Sequence, residues 1–291
     1  MKDSAIEWTD HTFNPWWGCE KVAQGCRNCY AEGVATRFYG RTIWGPSHKT
    51  DRRIASEKVW NDPLRWNREA ERTGKRPKVF CASMSDVLED HPQLIEPRKR
   101  LVELIEHTPR LIWQLLTKRP ENSEMFGWGD EWPKNVWFGA SAATQNECDR
   151  NVPLLFTSEA EWTFLSLEPL LEPLDLVRWF DLDPLGIGVS NAFAKRPDWV
   201  IVGGESGRDA RPCDVAWVRL IVQQCKAASV PVFVKQLGAQ PVWSLEEAIE
   251  IVTRTPGCGG LKDRKGGDPA EWPKDLRVRE FHNAMESTTH A

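Results

Sequence analysis

The chain lacks any long apolar segment. No apolar run in its 291 residues approaches the roughly 20 residues that a membrane-spanning helix needs. The first eight residues contain no apolar stretch typical of a secretion signal. We therefore expect a cytoplasmic protein with no membrane partner. In the reducing cytosol, clustered cysteines usually bind metal or take part in catalysis and do not form disulfides.

The chain also lacks a strong net charge. Its formal charge of -4 argues against a protein coated with basic residues for binding duplex nucleic acid. Residues 48–78 differ from this average, because they contain ten Lys or Arg and five Asp or Glu. Trp60 and Trp66 lie among them, so the segment could bind single-stranded nucleic acid through phosphate contacts and base stacking. The alternative is a solvated pair of helices with both tryptophans packed inward.

Short apolar runs alternate with amphipathic helical segments along most of the chain. Such alternation predicts βαβ units and a parallel sheet, with each run forming a strand that is buried on both faces. We therefore predict an α/β fold with a full or partial (β/α) barrel over residues 1–240, and a doubly wound open sheet is the alternative. The predicted strands are 6–12, 79–83, 111–117, 136–140, 163–167, 199–203 and 230–234.

Two segments do not follow the barrel pattern. The basic segment is predicted as an insertion at 45–78. Residues 241–291 are rich in glycine and proline and predict a turn-rich C-terminal appendix packed on the barrel. The tail at 284–291 is predicted to be disordered.

Polar side chains follow nearly every predicted strand. In a parallel barrel the loops after the strands meet at one rim, where functional groups gather. Lys235 follows an apolar strand so closely that its ammonium needs a carboxylate partner, either Glu168 or Glu205. The structural alternatives are a tight turn for the two glycines, a surface pair for Lys118 and Arg119, and an ion network for Lys235 and the glutamates. The residues concerned are Ser83, Asp86, Lys118, Arg119, Ser166, Glu168, Gly203, Gly204, Glu205, Lys235 and Gln236.

Three cysteines near the start of the chain are the clearest candidates for a metal site. Cys19, Cys26 and Cys29 have the spacing C-x6-C-x2-C, with a glycine before each of the first two. A 4Fe–4S cluster takes four ligands, so three thiolates leave one iron open to another molecule. Zinc is the alternative metal, with His11 or His48 as the fourth ligand of a closed structural site.

Together these motifs resemble a phage- and prophage-associated family of uncharacterised proteins named for a three-cysteine motif. That family is in turn similar to radical S-adenosylmethionine (SAM) enzymes. The usual spacing in that superfamily is C-x3-C-x2-C, so the first gap is longer here. Its Gly-Gly-Glu element follows an earlier strand than Gly203, Gly204 and Glu205 do. The matching segments are 14–15, 18–19, 25–26, 29–32, 83–86, 117–120, 166–171, 203–207, 235–238 and 276–280.

The resemblance implies that a full or partial barrel holds a 4Fe–4S cluster on the three cysteines. The open iron would bind SAM, and an electron from an external donor would cleave SAM to a 5′-deoxyadenosyl radical that abstracts a hydrogen atom. On this basis Glu205, Lys235 and Glu168 are candidate catalytic residues. The remaining strand-end residues are expected to line the pocket for SAM and substrate.

The expected function is therefore a radical-SAM-type enzyme that modifies or repairs a nucleic-acid base. A base in a duplex would have to be flipped out before such chemistry. One alternative is a zinc-stabilised module that binds nucleic acid or protein without catalysis. Another is an electron-transfer or sensor protein that carries the cluster and binds no SAM.

Overall fold

The computed structural model describes residues 1–180, 195–254 and 261–285. Within these ranges no helix is both long enough and apolar enough to cross a membrane. The helices are α1 (Tyr30–Tyr39), α2 (Glu57–Trp60), α3 (Asp62–Thr73), α4 (Ile95–Glu106), α5 (Gln145–Phe156), α6 (Val215–Ala227) and α7 (Leu245–Arg254). The strands are β1 (His11–Thr12), β2 (Trp16–Trp17), β3 (Arg53–Ile54), β4 (Lys78–Cys81), β5 (Ile112–Thr117), β6 (Val136–Ser141), β7 (Trp162–Leu167), β8 (Trp199–Gly203), β9 (Cys213–Asp214), β10 (Val232–Gln236) and β11 (Pro241–Val242).

Seven of these strands form one parallel sheet, in the order β1-β4-β5-β6-β7-β8-β10. Helix α4 lies between β4 and β5 along the chain, α5 between β6 and β7, and α6 between β8 and β10. The end strands β1 and β10 do not pair with each other among the described residues. The sheet is therefore a partial barrel, and the predicted α/β fold with a (β/α) barrel is confirmed in its partial form.

The strands form where the sequence is almost continuously apolar. Every residue of β6 and β8 is buried, as expected for strands covered on both faces. The first strand is shorter than the predicted 6–12. The backbone N–H of Thr9 donates to the carbonyl of Ile6, so the chain turns there and pairs with β4 only from His11 onward.

The chain divides into two compact units. The first unit contains Met1–Ala140, Asn151–Phe164 and His282–Ala291, and the second contains Ser141–Arg150 and Leu165–Phe281. The proposed barrel boundary at residue 240 and the insertion at 45–78 stay predictions.

Both tryptophans of the basic segment are buried in the first unit. Trp60 packs edge-on against Phe13 with ring centroids 5.5 Å apart, and Trp66 lies 4.5 Å from the ring of His11. Their exposed fractions are only 2% and 3%. Neither ring can stack on a nucleic-acid base, so any nucleic-acid contact of residues 48–78 rests on charge.

Residues 278–280 cover the edge strand β10 of the second unit. The N–H of Val234 donates to the carbonyl of Val278 at 2.9 Å, and the N–H of Glu280 donates to that of Val232 at 3.0 Å. This antiparallel pairing satisfies backbone groups that an edge strand would otherwise leave open.

The last described element is a 3-10 turn at Asn283–Met285, in which Met285 is buried. The rest of the tail predicted to be disordered, residues 286–291, lies outside the described residues.

Candidate functional site

The three cysteines lie on the connection from β2 to α1 in the first unit. Cys26 ends a 3-10 turn, and Cys29 occupies the N-cap position of α1. Gly18 has a φ of +111°, and a Cβ there would lie 2.2 Å from the carbonyl oxygen of Ile43. Only glycine permits this approach, so Gly18 fixes the path of the chain directly before the first cysteine.

The three thiols are free, and the surroundings of Cys19 and Cys29 oppose ionisation. Burial raises the pKa of Cys19, and the nearby guanidinium of Arg119 lowers this pKa by a smaller amount. Burial also raises the pKa of Cys29, against backbone hydrogen bonds from Glu32 and Ala31 at the start of α1. A metal cation would supply the counter-charge that these thiolates need in a buried place.

Arg119 connects the first cysteine to a buried carboxylate. Its Nη1 lies 2.9 Å from Asp86 Oδ2 and 3.8 Å from Cys19 Sγ, and its Nη2 donates to the carbonyl of Glu20 at 2.8 Å. Burial lowers the pKa of Arg119, but Asp86 and the other nearby anions raise it by more, so the guanidinium stays charged. Arg119 is only 7% exposed and is not in a surface pair. The sequence predicts Asp86 and Arg119 as pocket-lining residues, and in the structure they bind each other.

A second buried ion pair, which the sequence analysis missed, lies beside the first. Arg52 Nη2 and Nε donate to the two carboxylate oxygens of Glu89 at 2.7 and 2.8 Å. The two side chains are 0% and 2% exposed. Arg52 also donates to the carbonyl of Gly45, and Glu89 lies 4.0 Å from Arg119 Nη2. The two ion pairs therefore form one network around the cysteine segment.

Ser83 and Lys118 border this network. The hydroxyl of Tyr30 donates to the carbonyl of Ser83 at 2.8 Å, and the backbone N–H of Lys118 donates to Asp86 Oδ2 at 2.9 Å. The hydroxyl of Ser85 is buried and has no hydrogen-bond partner in the described part of the chain. A buried hydroxyl of this kind is available for a hydrogen bond to a ligand.

The residue types of the cysteine segment fit an iron–sulfur cluster, because three free thiols share one segment, with Cys19 beside the guanidinium of Arg119 and Cys29 at the N-terminus of α1. Their arrangement is not yet that of a metal site. Across residues 1–180, 195–254 and 261–285, no three His, Cys, Asp or Glu side chains are grouped so that they could hold a metal ion.

His11, one of the two predicted alternatives for a fourth zinc ligand, is already engaged. Its Nδ1 accepts a hydrogen bond from the backbone N–H of Asp3 at 3.2 Å, and its ring packs on Trp66. The other alternative, His48, is exposed.

In the second unit, Lys235 has the carboxylate partner that its position requires. Lys235 Nζ lies 3.0 Å from Glu168 Oε1, and the two side chains are 26% and 14% exposed. Ser166 is buried in β7. Of the two carboxylates predicted as partners for the ammonium, Glu168 is therefore the one that binds it.

Glu205 binds a different cation, Arg211, which the sequence analysis missed. Its two oxygens accept from Arg211 Nη2 at 2.7 Å, Nε at 2.9 Å and the backbone N–H at 2.7 Å. In this bidentate geometry both oxygens of Glu205 bind the same arginine.

The predicted Gly-Gly motif brings two backbone segments of the second unit together. A Cβ on Gly204 would lie 2.4 Å from the carbonyl oxygen of Leu237, and one on Gly203 would lie 3.0 Å from Glu168 Oε1. Gln236 Nε2 closes the contact by donating to the carbonyl of Gly204 at 2.8 Å. The glycines thus permit close packing of the chain against itself.

Comparison with known proteins identifies the family. A family model described as a protein of unknown function, DUF5131, matches residues 3–266. The chain belongs to this family. The description assigns no activity, and the phage association implied by the resemblance stays a prediction. No curated protein matches the chain.

Solved structures of spore photoproduct lyase match the chain at low similarity. A point mutant of that enzyme has a TM-score of 0.46 and 12% identity, over 77% of this chain and 63% of its own. A second mutant, with a dinucleoside spore photoproduct, has a TM-score of 0.47 and 14% identity, over 88% of this chain and 77% of its own. The chain therefore spans less than two thirds of the length of the first. At this similarity the fold assignment rests on the strand order of the chain itself.

Removal of Arg119 should destabilise the first unit. Arg119→Gln is expected to lower the free energy of unfolding by about 3–5 kcal/mol, because it leaves the carboxylate of Asp86 buried without its counter-charge. Lys99→Gln removes the partner of Glu96 in an exposed pair on α4 and should have no measurable effect. Urea unfolding followed by circular dichroism compares the two, and equal stabilities would show that the buried pair is dispensable.

The close approach at Gly204 is tested by adding one methyl group. Gly204→Ala should lower the free energy of unfolding by about 1–3 kcal/mol, because the new Cβ meets a backbone carbonyl that cannot move aside easily. Gly33→Ala is the matched control, since a Cβ on this exposed residue of α1 meets nothing within 4 Å. That variant should gain up to about 1 kcal/mol. If both alanine variants were equally stable in thermal unfolding, the packing role of Gly204 would be wrong.

Proposed function

We propose that this protein is an iron–sulfur enzyme of the radical-SAM type. The observation that carries the proposal is the set of three free cysteines on one segment of the first unit, next to a buried guanidinium and the N-terminus of α1. Three thiolates leave one position of a 4Fe–4S cluster for SAM. When bound, the cluster supplies the electron that cleaves SAM, and an external donor replaces it.

The residues around the cysteines have separate roles in this proposal. Cys19, Cys26 and Cys29 are the cluster ligands. Arg119 donates to the sulfur of Cys19 and to the carbonyl of Glu20, so it stabilises the thiolate and holds the segment on which it lies. Arg119 is thus a positioning residue that acts through Cys19.

The ion pair in the second unit keeps its proposed catalytic role. Glu168 and Lys235 are partly exposed, so both groups are accessible to a bound molecule. Glu205 binds Arg211 through both of its oxygens and is proposed to position the loop after β8. The proposed substrate is a nucleic-acid base, and the basic character of residues 48–78 supports this class.

Anaerobic purification followed by metal and product analysis tests the proposal. We expect brown protein with about four irons and four sulfides per chain, and 5′-deoxyadenosine formed from SAM under reduction. Cys26→Ala should lose the iron because one of three ligands is gone. Cys225→Ala should keep it, because Cys225 is a core residue of α6 in the second unit.

Other outcomes would replace the proposal. Zinc without iron would favour the zinc-stabilised binding module. Iron without cleavage of SAM would favour an electron-transfer or sensor protein. Equal iron content in the Cys26→Ala and Cys225→Ala variants would show that the cluster ligands lie elsewhere.

A further inference from the structure

Three cations stand at the N-terminal ends of three adjacent strands in the first unit. Arg76, Arg110 and Lys134 each precede a strand by two residues, namely β4, β5 and β6. These strands are neighbours in the parallel sheet and lie about 4.8 Å apart. The three residues therefore form a basic row along the N-terminal ends of these strands.

An open cavity of about 260 Å³ lies beside this row and is lined by its two outer members. Arg76 and Lys134 line it, together with Glu161, Asn283 and the indole of Trp162. Trp162 is half-buried and is fixed by stacking on Trp137, with ring centroids 5.2 Å apart and an angle of 9° between the planes. The cavity thus combines a rigid aromatic wall with two cations.

The charges around the cavity are available to a ligand. Arg76, Lys134 and Glu161 have no ion-pair or hydrogen-bond partner for their side chains in the described part of the chain. The nearby Lys78, in contrast, is paired with Asp10. Unpaired charged groups that line a cavity interact more favourably with a ligand of opposite charge than paired groups do.

Helix α3 extends the basic row over the surface. Arg68 and Arg72 are exposed and lie four residues apart, so they project from the same side of the helix. Lys75 is also exposed and follows the end of α3. The chain from Arg68 to Arg76 therefore contains four cations, and the last of them lines the cavity.

We propose that the basic row and its cavity bind single-stranded nucleic acid, with one base against Trp162 and the adjoining phosphates on Arg76 and Lys134. Glu161 and Asn283 supply hydrogen-bonding groups for the edge of that base. An aromatic wall with cations is the combination that recognises unpaired nucleotides, because stacking holds the base and the cations hold the backbone. Duplex DNA offers no free base face to Trp162.

The proposed site is separate from the cysteine segment within the first unit. The cavity lies where strands β4 and β6 begin, whereas Ser83 and Asp86 follow the end of β4. The site therefore anchors a strand and does not present the base that reacts. It shares with the proposed function only the class of substrate. Strand binding is measured without SAM or a reductant, so each proposal can fail alone.

Fluorescence anisotropy with a labelled oligothymidylate of about 20 nucleotides tests the site over a range of salt concentrations. Arg76→Gln/Lys134→Gln should weaken binding about tenfold and reduce the slope of log K against log salt by about 1.4, because two phosphate contacts are lost. Trp162→Leu should weaken binding at least about fivefold and leave the slope unchanged, because stacking releases no counterions.

The matched control is Lys99→Gln/Lys226→Gln, which removes two exposed positive charges from α4 and α6. It should bind like the unaltered protein. Equal binding by the Arg76→Gln/Lys134→Gln protein and this control would overturn the proposal. So would equal affinity for a duplex of the same length, or full displacement of the strand by thymidine monophosphate at matched nucleotide concentration. The charge variants alter exposed or half-buried side chains, so the test does not depend on the Trp162 variant folding.

Discussion

Burial of charge around the first cysteine is the constraint on which the candidate site of the first unit depends. Arg119, Asp86, Arg52 and Glu89 are all nearly inaccessible to solvent. Such pairs add little net stability, because desolvation offsets much of the attraction, but loss of one partner is costly. Each buried charge is therefore stable only in a fold that places its partner beside it. The same guanidiniums hold backbone carbonyls beside the cysteine segment, so the ion pairs fix the course of that segment.

Several residues that the sequence predicts as ligand-binding groups have protein partners. Asp86 binds Arg119, Glu205 binds Arg211, and Gly204 lies against Leu237. These residues build the frame of the two candidate sites. The groups that stay partly accessible are different ones, above all the pair of Glu168 and Lys235 in the second unit. Partly accessible charged groups and groups that shape the chain thus occupy neighbouring positions at the strand ends.

The sequence predicts the sheet well because the cause of each strand is local. A run of five to seven apolar residues has few alternatives to burial on both faces, and β4 to β8 and β10 lie at the predicted places. The partners of buried charges are not local. Arg52 is 37 residues from Glu89 in the chain, so no spacing rule predicts that contact. The sequence analysis did not predict the basic row for the same reason. Its members stand two residues before three strands, and that these strands are neighbours is known only from the strand order.

The sequence by itself determined the parallel α/β architecture, the close spacing of three cysteines along the chain, and the need of Lys235 for a carboxylate. The tertiary structure alone decided which carboxylate that is, which arginines surround the cysteine segment, and that Trp60 and Trp66 face the core. The physical reason is the range of the forces involved. Strand formation follows from the hydrophobicity of consecutive residues, whereas a buried charge is satisfied by whichever opposite group the fold brings within reach, however distant along the chain.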